Sequence, residues 1–85
     1  MRILMAGKSD ALLGTLQALH VADPDVHIVG QALDEGELFA AARAHQPELI
    51  LLHWTFRPRL TPESAAYLSA ISGGARVVAV YAPSA

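Results

Sequence analysis

The chain has 85 residues, enough for one small domain, and a domain of that length buries only about 60% of the surface its unfolded chain exposes, so its stability margin is narrow. Hydrophobic residues make up 53% and charged residues 16%, which excludes a disordered segment and argues for a real core. A formal charge of −2 gives no positive field to gather nucleic acid or an anionic membrane, and the lack of cysteine removes disulfides, thiolate nucleophiles and cysteine-ligated zinc together.

Met1 to Met5 is too short an apolar run for a signal peptide, and no stretch nears the roughly 20 apolar residues of a membrane span, so a cytoplasmic location is expected. Ile3 to Ala6 reads as a strand closed by Gly7, Ser9 and Asp10, and Leu12, Leu13, Leu16 and Leu19 then recur at helical spacing. Ala22-Asp23-Pro24-Asp25 stops that helix, because a proline disfavours the helical region for the residue before it. Val26 to Gly30 is a second strand. Asp34 is a helix cap with Glu35 and Glu37 in the first turn, and Leu38, Phe39 and Ala42 form the inward stripe of a helix ending near His45-Gln46-Pro47. Glu48 to Trp54 holds Leu49-Ile50-Leu51-Leu52 without polar alternation, as a central parallel strand requires. Thr61-Pro62-Glu63 starts a third helix, from which Tyr67, Leu68 and Ile71 face inward before Gly73-Gly74 ends it. Arg76 to Ala82 is a fourth strand. The alternation implies right-handed crossovers and an open parallel α/β sheet.

In order and wording these segments resemble the receiver domain of bacterial response regulators, especially those that precede a helix-turn-helix output domain. The resemblance is carried by Ile3-Leu4-Met5-Ala6, by Ala22-Asp23-Pro24-Asp25-Val26-His27-Ile28-Val29-Gly30 and by Gln46-Pro47-Glu48-Leu49-Ile50-Leu51-Leu52, and it covers essentially the whole chain. It implies a flavodoxin-like sheet of four strands in the order 2-1-3-4 with three helices, one strand fewer than the family's five. The domain is expected to span 1–85, either complete or as the N-terminal part of a longer chain.

Receivers carry two acidic residues after the first strand, which hold Mg²⁺ together with a phosphoacceptor aspartate. Their places here are taken by Gly7 and Lys8, the aspartate's by His53, and the phosphate-sensing hydroxyl's by Tyr81. The family's lysine and switch aromatic fall after Ala85. The resemblance therefore implies a receiver-like domain of transcriptional or two-component-type regulation that is not an enzyme, takes no cofactor or metal, and works independently of phosphorylation through protein contacts.

Other residues carry readings of their own. Ala6-Gly7-Lys8-Ser9 looks like the tail of a phosphate-binding loop, but the motif is incomplete and an ordinary strand–helix turn is the plainer reading. In a 2-1-3-4 sheet the crevice at the ends of the first and third strands would be lined by Lys8, His53, Arg57 and Arg59, a cationic set suited to a small anion. The alternative function is thus a small-molecule or anion sensor, against which stands the reading of solvated loop charges and a satisfied histidine. His20, His27, His45 and His53 fall on different segments and are read as unrelated. Trp54, Phe56 and Arg57-Pro58-Arg59 serve equally as a partner contact or as cover for the sheet. Val77, Val78, Val80 and Tyr81 would form an apolar edge, a template for a homodimer or swapped oligomer, with other signalling proteins as further partners.

Overall fold

Three helices begin where side chains supply the hydrogen bonds that a first turn lacks. α1 (Asp10–Ala22) is capped by Ser9, whose Oγ accepts from the Leu12 amide at 3.1 Å. Asp34 caps α2 (Glu35–His45) by accepting from the Glu37 amide at 2.8 Å, and Thr61 caps α3 (Pro62–Ile71) by accepting from the Ser64 amide at 3.1 Å. Each cap satisfies an otherwise orphaned amide and contributes about 1 kcal/mol. The computed structural model describes residues 1–56 and 60–80.

Helix ends are set by backbone that cannot continue. Gln46 adopts the left-handed conformation (φ 47°) after α2, and its side-chain amide donates to the carbonyls of Ala42, Arg43 and Ile71. That one amide ties the end of α2 to the end of α3. Gly73 and Gly74 close α3 at φ 75° and 94°, a region that glycine enters without the steric penalty of a Cβ.

The strands β1 (Arg2–Ala6), β2 (His27–Ala32), β3 (Leu49–His53) and β4 (Arg76–Val80) pair in parallel in the order β2-β1-β3-β4. This is the α/β architecture expected from the sequence, matching a flavodoxin-like open sheet. Boundaries differ in detail: β2 begins one residue later than the apolar run and extends to Ala32, and the expected continuation of β4 through Ala82 lies outside the described residues. Between β1 and β2 the register shifts after Ile3↔Ile28 to Leu4↔Gly30, leaving Val29 as a bulge.

Alternation along β1 divides the core. Leu4 and Ala6 face α2 and α3, in a cluster with Leu38, Ala42, Ile50, Phe56 and Leu68. Ile3 and Met5 face α1 and pack with Leu16. One inward assignment is corrected, that of Tyr67, and one residue of the α1 apolar spacing stands at the surface. Leu19, near the end of α1, is 48% exposed although it continues the apolar spacing of that helix. Tyr67 is 45% exposed, its ring edge-on to Phe39 at 5.3 Å and its hydroxyl accepting from Arg43 Nη2. Among the described residues no helix is long and apolar enough to cross a membrane.

Candidate functional site

With β1 and β3 adjacent, and their following helices on opposite faces, the chain reverses direction between the two strands' C-terminal ends. This is the point at which open α/β sheets form a crevice. The structure places Gly7, Lys8 and His53 there, as expected. Arg57, Arg59 and Tyr81 lie outside the described residues.

The crevice is organised by Thr55, a residue the sequence reading passed over. Its Oγ1 accepts from the Lys8 amide at 3.0 Å and stands 3.2 Å from the Lys8 carbonyl and 2.8 Å from His53 Nδ1. The Thr55 amide also donates to His53 Nδ1 at 3.2 Å. An amide can only donate, so Nδ1 is the acceptor nitrogen and a neutral His53 carries its proton on Nε2. The imidazole is 7% exposed and lies 5.1 Å from the Trp54 ring at a 32° tilt. A hydroxyl two residues beyond a strand end, positioned to bond back to that strand, was the available sequence signal.

Gly7 is what lets the two loops meet. Its φ is 111°, its amide donates to Ala32 O at 2.8 Å, and its carbonyl accepts from Gln31 Nε2 at 3.1 Å. A Cβ on Gly7 would stand 2.9 Å from both His53 Cβ and Thr55 Oγ1. The side chain of Lys8 is exposed.

Beside this crevice, across the ends of β3 and β4, lies a cleft of about 190 Å³ lined by Leu52, His53, Trp54, Phe56, Leu60, Ala79 and Val80. Phe56 is buried and Trp54 is 48% exposed, so Phe56 covers the sheet and Trp54 presents a surface. Replacing Thr55 by valine, which keeps the shape but removes the hydroxyl, should cost about 1–3 kcal/mol, because the Lys8 amide and His53 lose a partner while serine retains it. Urea unfolding of Thr55→Val and Thr55→Ser measures this. Equal midpoints for the two variants would show that the hydroxyl does not hold the loops together.

The reading of the four histidines as unrelated is also corrected for one pair. The rings of His20 and His27 have centroids 5.2 Å apart. Among the described residues there is no group of three or more histidine, aspartate or glutamate side chains arranged to hold a metal ion.

No protein-family model matches the chain, and no curated protein matches it.

Proposed function

We propose that the chain is a receiver-like regulatory domain that is not an enzyme, acts independently of phosphorylation, and works through protein contacts in transcriptional or two-component-type control, with self-association first among them. One observation carries this reading: where a receiver would hold magnesium and accept phosphate, Thr55 bonds both the Lys8 amide and His53, and a Cβ on Gly7 would crowd the side chains of His53 and Thr55. Chemistry at that crevice would have to break a satisfied hydrogen-bond set and proceed without carboxylates. Contacts have an available surface in β4, which among the described residues pairs only with β3 and exposes Val78 to 39%. An unpaired apolar edge strand is a template for a second chain.

The test has two parts. Magnesium with beryllofluoride should leave the melting temperature unchanged, since a ligand that does not bind the folded state cannot stabilise it. Sedimentation at micromolar concentration should show a dimer, and Val78→Lys, which places a charge beside the edge, should weaken it by about tenfold or more. A stable wild-type monomer, or a magnesium-dependent rise in melting temperature, would overturn the reading.

A second reading, an anion sensor at Lys8 and His53, is favoured by the His53 tautomer, which makes Nε2–H a donor, and by the exposure of the Lys8 side chain at the same pair of strand ends. Stabilisation by millimolar phosphate that is lost in Lys8→Ala would select it.

A further inference from the structure

His20, in the last turn of α1, and His27, the first residue of β2, are brought together by the chain reversal at Asp23-Pro24-Asp25. The reversal is fixed at several points: the Asp23 amide donates to Leu19 O at 2.7 Å, the Val26 amide to Asp23 O at 3.0 Å, and the His27 amide to Met1 O at 2.7 Å. The two rings tilt at 50° with centroids 5.2 Å apart, over a cleft of about 250 Å³ lined by Gln17, His20, His27 and Ile28. Both histidines are exposed, so packing against a core does not explain the pairing.

We propose that His20 and His27 form a two-histidine site for a divalent late transition-metal ion such as Zn²⁺, clipping the end of α1 to the start of β2. His20 Nδ1 bonds the Val26 carbonyl, which can only accept. The proton therefore sits on Nδ1, and in the neutral ring Nε2 holds the lone pair that a metal takes. This carbonyl–histidine arrangement is the usual outer-shell support of a ligating imidazole. Geometry agrees. An ion about 2.1 Å from one nitrogen of each ring is about 3.2 Å from each centroid, and at a tetrahedral angle the centroids are then about 5.2 Å apart. The remaining positions fall to water or to the amide oxygen of Gln17, one helical turn before His20 on the same face. Imidazole ligands favour zinc, copper and nickel over magnesium and calcium, which require oxygen. The site lies on the opposite side of β1 from β3, in a sheet ordered β2-β1-β3-β4, so it stands or falls separately from the proposed regulatory function.

Titration of the full chain with zinc chloride, followed through the histidine ring resonances, tests the site. Saturable one-to-one shifts are expected at His20 and His27, with His45 and His53 unmoved. The melting temperature should rise by about 6–11 °C at tenfold excess of zinc over its dissociation constant, and magnesium should have no effect. His20→Gln and His27→Gln should each weaken zinc binding by about tenfold or more, whereas His45→Gln should not. His27→Gln, at a surface position, should unfold without metal at the wild-type temperature, which shows that its lost affinity is not lost folding; His20→Gln, which gives up the bond to the Val26 carbonyl, is compared with its own metal-free temperature. Zinc affinity retained in either variant, or shifts centred on His45 or His53, would overturn the proposal.

Discussion

Replacing Gly7 with aspartate is expected to destabilise the domain by about 3 kcal/mol or more, with alanine costing nearly as much, because both introduce a Cβ into a strained and crowded position. At φ 111° an L-residue is strained whatever surrounds it, and its Cβ would meet His53 Cβ and Thr55 Oγ1 at 2.9 Å. Neither neighbour moves freely: one is the root of a buried side chain and the other holds the Lys8 amide. Gly14 provides the internal control. It lies inside α1 in open space, with nothing within 4 Å of where a Cβ would stand, so Gly14→Ala should stabilise by about 0.5–1 kcal/mol. Urea unfolding of the three variants gives the comparison, and a Gly7→Ala midpoint matching wild type would show that the turn relaxes at little cost. The result bears on the proposed function, since the receiver resemblance would put an acid at Gly7. An acid at this one position does not create a metal site; it forces apart the loops that His53 and Thr55 join.

Local signals in the sequence were legible because they act within one turn of chain. Asp34 and the Thr61-Pro62 pair cap their helices as read, and Leu49-Ile50-Leu51-Leu52 is a strand paired on both sides. Strand order followed from the receiver resemblance, and the architecture agrees with it. Side-chain exposure was less legible. Leu19 continues an apolar spacing, yet it stands 48% exposed near the end of α1. Tyr67 fits an inward spacing, but its hydroxyl is held at the surface by Arg43.

The site was half legible for a related reason. Gly7, Lys8 and His53 could be placed at two strand ends, but Lys8 and His53 are joined through Thr55, whose bond to the Lys8 amide spans 47 positions, beyond any local pattern. His20 and His27 are close in sequence and were still missed. Ligand spacing rules describe one helix or one hairpin, whereas these two residues straddle a helix–turn–strand reversal.

Leu4→Ala should cost about 3 kcal/mol and Leu51→Ala about 1 kcal/mol, although both remove the same atoms from adjacent central strands. Leu4 is fully buried beneath α2 and α3, so truncation leaves a cavity whose walls are helices anchored by Gln46 and the α3 cap. Leu51 is on the other face, partly exposed, in the cluster covered by α1. There water already reaches part of the side chain, and less transfer free energy is lost. For a domain of this length a total stability of about 4–13 kcal/mol is typical, so the first loss is a large fraction and the second a small one. Denaturant unfolding at low protein concentration measures the difference, and equal costs there would mean the two faces are equally covered within one chain. Repeating the measurement at high concentration adds a further discrimination. If a second copy packs beside β4 over this face, the Leu51 cost should grow with concentration while the Leu4 cost stays fixed, because only the former would then include lost association.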